Sequence, residues 1–219
     1  MRAMKHWIFF LVLFGNSLMA QKSFILEATL GNEPVQCGKW VVNKQNDSLQ
    51  VNRCAMYLSN LQFFENGKPL TAPEKPILIN FCKGAFEFKQ VPQNADSVTF
   101  SVGIDSLIQT AGAMGGDLDP VNGMYWTWQS GYIHVKVEAQ TSKLEGESHS
   151  IVCHLGGYSA PFNTNRKKGF KLNEKMQYRL NLDQFLAAES FTTVRKIMSP
   201  SLLATKLSDA FIDSISPAR

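Results

Sequence analysis

The sequence has little excess charge and no long run of one sign. Its 219 residues carry 22 Lys and Arg against 18 Asp and Glu, and the densest basic cluster is the three residues 166–168. Proteins that bind nucleic acid concentrate positive charge on one face, so this composition argues against a nucleic-acid partner. Three basic residues beside Asn and Gly are instead typical of a solvated turn.

The motifs of the common enzyme classes are missing. There is no G-x-S-x-G nucleophile elbow, no H-E-x-x-H zinc motif, no P-loop and no dinucleotide fingerprint. Asp117 and Asp119 resemble the start of a calcium loop, but the Gly and Glu that such a loop needs downstream are absent. A turn before Pro120 explains both carboxylates. We therefore expect no catalytic activity from this chain.

After the first twenty residues the sequence has no long apolar run. Residues 1–20 place two positive charges before a short apolar stretch and end in a small residue, Ala20. This layout is typical of a secretory signal peptide, and the apolar stretch is too short to cross a bilayer. We expect residues 21–219 to form an exported single domain with no membrane span.

Cysteine is scarce, and none of the four cysteines forms a C-x-x-C pair. An even number in an exported protein favours disulfides. Two bridges are therefore expected among Cys37, Cys54, Cys82 and Cys153, with three possible connectivities. The alternative is that Cys153, which precedes His154, is a free thiolate for a soft metal.

Alternation of apolar and polar residues dominates the rest of the chain. Such alternation predicts strands over residues 23–30, 54–64, 76–81, 97–104, 131–138, 148–157 and 176–185. Many short strands separated by turn residues predict an all-β fold, an antiparallel β-sandwich. Two segments depart from the alternation. The Gly-rich residues 105–125 predict a long loop, and the residues after Ser199 and Pro200 predict a short C-terminal helix.

The segment 122–135, NGMYWTWQSGYIHV, is unusually rich in aromatic residues. If the chain is extended here, Trp126, Trp128 and His134 share one face, and the aliphatic residues within 133–137 share the other. The aliphatic face is the expected core face. The aromatic face is then available for function, although two tryptophans near a Gly-rich loop are also typical of core packing or of a sugar-binding platform.

Two histidines are the candidate metal ligands. In an antiparallel hairpin that pairs position 134 with 152 or 154, His134 and His154 become neighbours on one face, with Cβ atoms about 5 Å apart. Two imidazoles at that distance suit copper or zinc. A single strand histidine is more often a hydrogen-bonded structural residue, so both interpretations stay open.

Several stretches resemble the MbnP-like family of exported bacterial proteins. They are VNRCAMYLSNLQFFENGK (51–68), SVTFSVGIDS (97–106), GGDLDPVNGMYWTWQSGYIHVKVE (115–138) and CHLGGYSAP (153–161). The resemblance implies one β-sandwich domain, located in the periplasm or at the cell surface, that binds copper. It also implies that a tryptophan can be oxidised to kynurenine by a partner similar to di-haem cytochrome c peroxidases.

The resemblance carries over to particular residues. Trp126 and Trp128 match the tryptophans of the family motif, and His154 matches the histidine of its H-x-G-G segment. His134 has no counterpart among the family's ligands, and the histidines that relatives carry in the first strand and near the C-terminus are absent. The resemblance thus implies a copper site of His154, Trp126 and Trp128, with His134 as a further candidate. The alternative is a metal-free module that binds proteins or glycans through its aromatic residues.

Overall fold

The computed structural model describes residues 22–44, 46–128, 131–142, 150–189, 191 and 196–218. The expected signal peptide, residues 1–20, lies outside these ranges. The strands, numbered β1 to β15 in chain order, are Phe24–Leu30, Glu33–Pro34, Trp40–Val42, Ser48–Glu65, Lys68–Pro69, Ile77–Asn80, Phe86–Phe88, Ser97–Val102, Tyr125–Trp126, Gly131–Thr141, Ser150–Gly156, Arg166–Lys171, Gln177–Asn181, Lys196–Ile197 and Ile215–Pro217. The helices α1 to α3 are Ser106–Thr110, Leu182–Leu186 and Leu202–Asp213, and short 3-10 helices lie at Phe81–Lys83, Gly116–Leu118 and Pro120–Asn122.

These strands form two sheets that share one core. The smaller sheet has the order β15-β13-β1-β2, with β7 also paired to β1. The larger has the order β12-β8-β4-β10-β11-β14, and the short strands β3, β5, β6 and β9 pair with β4 or β10. Phe24 of the smaller sheet contacts Phe100 of the larger at a ring-centroid distance of 6.0 Å. Both belong to the larger cluster of buried apolar residues, here called the main core, as do Val135 and Val137. The expected core face of β10 is thus confirmed for Val135 and Val137 and wrong for Ile133, which lies in a second cluster.

The prediction of antiparallel sheets is wrong, because both sheets are mixed. β1 pairs with β13 in parallel, and β11 pairs with β14 in parallel. Neighbours joined by a tight turn must run antiparallel, but strands far apart in sequence can pair in either direction. Alternation reports which face of a strand is buried and carries no information about the direction of its neighbour.

Two other local predictions need correction. The basic residues 166–168 belong to strand β12 rather than to a turn. There Arg166 and Lys168 form ion pairs with Asp209 and Asp213 of α3. The strand predicted over 176–185 ends early, because the side chain of Asn181 accepts a hydrogen bond from Gln184 N–H and thereby caps α2.

The C-terminal helix is confirmed as α3, two residues later than Ser199 and Pro200 indicate. The side chain of Ser201 accepts a hydrogen bond from the backbone N–H of Ala204, at 3.1 Å, and so caps the helix. Leu207 and Phe211 lie one turn apart and are both buried in the main core. The helix thus covers the sandwich with its apolar face, as its spacing predicts.

The expectation of two disulfides is wrong. Cys37 and Cys82 are bridged, while Cys54 and Cys153 are free and buried. Cys54 and Cys153 are both register partners of Val137, one on each side of β10. Since neighbouring strands lie about 4.8 Å apart, the two Cα atoms are roughly 9–10 Å apart, beyond the limit of about 7 Å for a disulfide.

The two free thiols are buried in the main core. Burial raises the pKa of Cys54 and of Cys153 to about 12. Cys153 lies in the main core, on the face of β11 opposite to His154, so the two side chains do not form the soft-metal pair of the alternative.

The segment predicted as a loop over 105–125 folds onto the outer face of the large sheet, the face opposite the main core. On β4, Met56 points into the main core while Tyr57 points outward. The outward side chains and the segment form a second, smaller cluster, here called the loop core, whose members are Ala55, Tyr57, Ile104, Leu118, Met124, Trp126, Tyr132 and Ile133. The Tyr57 hydroxyl donates to the carbonyl of Asp117 at 2.9 Å and anchors the segment.

Candidate functional site

The aromatic segment turns back on itself instead of running extended as predicted. β9 and β10 are antiparallel neighbours, with Trp126 opposite Gly131. The chain therefore reverses direction between Trp126 and Gly131, and the two tryptophans do not lie on the same strand as His134. The Ser130-Gly131 dipeptide is of a kind that marks turns and was the signal in the sequence for this reversal.

Trp126 is a buried residue of the loop core and Trp128 is not. Trp126 is 5% exposed, and its six-membered ring lies against Gly156, where a Cβ atom would approach Trp126 Cζ3 to 2.6 Å. Trp128 is 64% exposed, and its ring centroid lies 5.7 Å from that of Trp126. The indole Nε1 of Trp126 is buried and has no hydrogen-bond partner among the described residues. Gly156 of the CHLGG stretch has no side chain, and the ring of Trp126 occupies the space that a side chain would fill.

The predicted pairing of His134 with position 152 or 154 is wrong. His154 is opposite Lys136, and the register shifts between Ile133 and Val135. His134 is therefore the extra residue of a β-bulge, which redirects a side chain that regular alternation would place beside Lys136. The two histidines do not form the same-face pair expected from the hairpin.

His134 is fully buried, and hydrogen bonds occupy both of its ring nitrogens. Gln109 Oε1 accepts from the backbone N–H of Tyr132 at 2.8 Å, so the Gln109 amide donates to His134 Nε2 at 2.6 Å. His134 Nδ1 then carries the proton and donates to Thr164 Oγ1 at 2.9 Å. Thr164 in turn donates to the carbonyl of Gly157 at 3.2 Å. No nitrogen lone pair of this imidazole is available to a metal.

The surroundings of His134 keep it neutral. Burial lowers the pKa of His134 to about 4. Gly103 makes room for the ring, because a Cβ atom there would lie 2.7 Å from His134 Nδ1. Gln109 and Thr164, which no pattern in the sequence indicated, hold the imidazole in place. His134 is accordingly a structural residue that ties α1, β10 and the segment after β11 together.

His154 lies on the outer face and has a different set of partners. Its Nε2 is 2.8 Å from Oε1 of Glu138, and Lys136 Nζ lies 3.4 Å from the same oxygen. Burial lowers the pKa of His154, and the hydrogen bond to Glu138 only partly offsets that effect. Burial alone would raise the pKa of Glu138, but the bond from His154 and the charge of Lys136 lower it. The pair is therefore a neutral imidazole that donates Nε2–H to a carboxylate.

This protonation state leaves a lone pair on His154 Nδ1. That nitrogen is buried and has no hydrogen-bond partner among the described residues. Alternation along β11 places His154 on the same face as Gly156, against which Trp126 packs. The structure thus brings His154 and Trp126 to one patch of the outer face, with Glu138 as an additional member. Glu138 lies two residues after Lys136 on β10, so strand alternation in the sequence could have identified it as a residue of the outer face.

The donor set is smaller than a complete metal site requires. In the ranges that the structure describes, no group of three or more His, Cys, Asp or Glu side chains is arranged to hold a metal ion. Metal-binding histidines almost always donate their second N–H to a carboxylate, a carbonyl or water, and His154 does this with Glu138. His154 therefore fits the role of one copper ligand, while His134 does not.

A small pocket adjoins Trp126. Its volume is about 130 Å³, and its lining includes Trp126, Tyr132, Tyr158, Phe162 and Pro200. Tyr158 and Phe162 are partly exposed. The sequence indicated Tyr158 only as part of the CHLGGYSAP stretch.

The comparisons with known proteins give one family match and one structural match. The family model described as MbnP matches residues 20–199. The solved structure of MbnP from Methylosinus trichosporium is similar with a TM-score of 0.59 and 11% identity, over 84% of this chain and 86% of that chain. At that identity the likeness shows the fold. No curated protein sequence matches the chain, and none of the helices in the described ranges is long and apolar enough to cross a membrane.

Proposed function

This chain belongs to the MbnP family, and from that premise we propose that it is an exported protein that binds copper at His154 beside Trp126. The family is exported and is associated with copper handling. We propose further that the protein performs no catalysis of its own. Its role would be to hold copper outside the cytoplasm, in the periplasm or at the cell surface.

The observation that carries the proposal is the free lone pair on His154 Nδ1. Imidazole nitrogen suits copper, and the hydrogen bond from Nε2 to Glu138 orients the ring and raises its basicity. Burial of Nδ1 without a partner is unusual for a polar atom, which favours a ligand at this position. Copper held here would be coordinated by His154 while Glu138 fixes the tautomer.

Trp126 supplies the second part of the proposal. Its Nε1–H also lacks a partner among the described residues, but an intact indole is a poor metal ligand. Kynurenine would offer an aniline nitrogen and a carbonyl oxygen on the same face as His154. Trp128 is the accessible member of the pair, so an oxidising partner similar to di-haem cytochrome c peroxidases would meet Trp128 first and reach Trp126 across the 5.7 Å between the rings.

The decisive experiment measures copper and intact mass on untagged protein. The protein is produced with and without a di-haem peroxidase partner, exposed to copper, freed of loosely bound metal and analysed by elemental analysis. We expect stoichiometric copper in the co-produced sample, together with the mass of a tryptophan-to-kynurenine conversion. Peptide mapping then assigns the change to Trp126 or to Trp128.

Two histidine variants provide the matched control. His154→Gln should abolish copper retention, whereas His134→Gln should keep it, provided that both fold as judged by circular dichroism. Copper retention that survives His154→Gln, or that is lost equally in both folded variants, would rule out this site.

A second candidate function rests on the exposed aromatic residues Trp128, Tyr158 and Phe162. Exposed aromatic rings around a small pocket also suit sugar stacking or protein contacts. In that case the chain is a metal-free module. Titration with a panel of neutral oligosaccharides, using Trp128→Ala as the variant, tests it. Saturable binding that is lost in Trp128→Ala, without copper retention by the wild type, would favour the module.

A further inference from the structure

A larger cavity lies away from His154 and the tryptophans. Its volume is about 460 Å³, and it is an open cavity lined by Arg53 of β4, by residues 78–80 and 83–86, and by Asp117, Val121 and Asn122. Pockets of this size accommodate small molecules. The Gly-rich segment thus forms a wall of this cavity as well as the cover of the loop core.

The cavity has an excess of positive charge. Arg53 and Lys83 line it, and the single carboxylate among its lining residues is that of Asp117. Asp117 Oδ2 already accepts a hydrogen bond from the backbone N–H of Leu78 at 2.9 Å. In the ranges that the structure describes, neither Arg53 nor Lys83 has an acidic side chain within ion-pairing distance. Glu138, the register partner of Arg53, is engaged by His154 and Lys136 instead.

The guanidinium of Arg53 is only partly satisfied. Its Nη2 donates to the carbonyl of Asn122 at 3.0 Å. Its Nε is buried and has no hydrogen-bond partner among the described residues. Buried donors without acceptors are rare in folded proteins, and the planar guanidinium fork matches the geometry of a carboxylate. An anionic group in the cavity would give this guanidinium the charged acceptor that the described residues do not supply.

Bonds within each wall of the cavity hold it in shape without a ligand. The disulfide to Cys37 holds Cys82 in its 3-10 helix, and Asn80 Oδ1 caps that helix by accepting from Cys82 N–H at 3.1 Å. On the opposite wall, Asn122 Nδ2 donates to the carbonyls of Gly116 and Asp117, at 2.9 and 3.2 Å. A preformed pocket loses little conformational entropy when it binds.

From these observations we propose that the cavity binds a small organic carboxylate. The carboxylate lies at Arg53 and Lys83, and its apolar body contacts Phe86 and Val121. Val121 is 85% exposed on the rim, and an aliphatic side chain there favours a ligand with an organic body over a bare inorganic anion. The binding requires no metal and no change at Trp126, so it is independent of the copper proposal.

The test is a titration of metal-free protein followed by ¹⁵N-HSQC spectroscopy, with benzoate and inorganic phosphate as probes. Benzoate should shift the amide signals of Lys83, Gly84 and Asn122 saturably, and phosphate should bind more weakly. Because a hydrogen bond to a charged group is lost, Arg53→Gln should weaken benzoate binding about tenfold or more. Lys83→Gln, an exposed change that leaves the fold intact, should weaken it less.

Two surface variants complete the design. Val121→Asp places a negative charge on the rim and should weaken benzoate binding by repulsion, while Lys175→Gln, a distant exposed lysine, should leave it unchanged. His154→Gln should also bind benzoate normally. The proposal is overturned if benzoate causes no saturable shift, or if Lys83→Gln and Val121→Asp both bind as the wild type does. Phosphate binding as tight as that of benzoate would overturn the carboxylate assignment.

Discussion

His134 and His154 have the same side chain and lie on neighbouring strands of one sheet, yet their chemistry differs. Both are buried, and burial lowers the pKa of each. Around His134 an amide and a hydroxyl occupy the two ring nitrogens. Around His154 a carboxylate occupies one, and the other has no partner among the described residues. The comparison shows that the number of free lone pairs, rather than burial or residue type, separates a structural imidazole from a candidate ligand.

The largest effect should come from closing the space that His134 occupies. Gly103→Ala would place a Cβ atom 2.7 Å from His134 Nδ1 at a backbone φ of +119°. Steric overlap and the unfavourable φ together should lower the free energy of unfolding by about 4 kcal/mol. Gly112→Ala is the control, since its φ is +84° with nothing within 4 Å, and it should cost only about 1 kcal/mol. Urea denaturation measures both, and equal costs would contradict this packing.

The next effect is the dependence of stability on pH. Burial gives His134 a pKa of about 4 in the folded protein, against an ordinary value of 6.5. The unfolded chain therefore binds more protons between these values, and the contribution of His134 is complete above pH 6.5 and is lost as pH falls towards 4. The loss amounts to at most about 3 kcal/mol.

Urea denaturation of metal-free protein at pH 7 and at pH 4.5 checks this dependence. His134→Gln should lose less stability than the wild type between the two pH values. Some dependence should remain, because the pKa of His154 is lowered as well. An unchanged pH dependence in the variant would show that His134 is not kept neutral by burial.

A smaller effect tests the carboxylate beside His154. If copper binds as proposed, Glu138→Gln should weaken its affinity by about 10- to 100-fold, because the neutral amide no longer orients and polarises the imidazole. Glu87→Gln, an exposed carboxylate on β7, is the matched control. Competition with a chromogenic copper chelator measures the affinities, and an unaltered affinity in Glu138→Gln would remove Glu138 from the site.

The smallest effect concerns the exposed tryptophan. Trp128→Ala should lower the free energy of unfolding by about 0.5–1 kcal/mol, the typical worth of an aromatic pair. If copper loading depends on oxidation through Trp128, the same variant should show no kynurenine when it is produced with the partner. Mass spectrometry decides this point, and kynurenine formed at the wild-type yield would show that the partner reaches Trp126 directly.

Strand alternation was sufficient to predict the two-layer β fold, because every second residue of such a strand is apolar and so identifies the buried face. It located β1, β8, β10 and β11 to within a few residues and placed Val135 and Val137 in the core. Parallel pairing could not be predicted, since it depends on which distant strands meet. The pairing of Cys37 with Cys82 also depends on distances across the fold that spacing in the sequence does not report.

The candidate site was predictable only in part. Family resemblance identified Trp126 and His154, which the structure brings to one face. The bulge at His134 could not be predicted, because a single inserted residue reverses the expected direction of a side chain without changing the composition of the strand. Gln109 was missed because its importance lies in the imidazole that it contacts. Alternation marks the face of β10 on which Glu138 lies but not its contact with His154.

The bulge at His134 also lies at the boundary between the two clusters of buried residues. Tyr132 and Ile133, on one side of it, belong to the loop core, while Val135, on the other, belongs to the main core. Small clusters under long connections open with lower free energies than the principal core of a domain. Amide protons of the segment 105–125 should accordingly exchange through a local opening that leaves the sandwich closed. Trp126 would then become accessible to a partner without global unfolding.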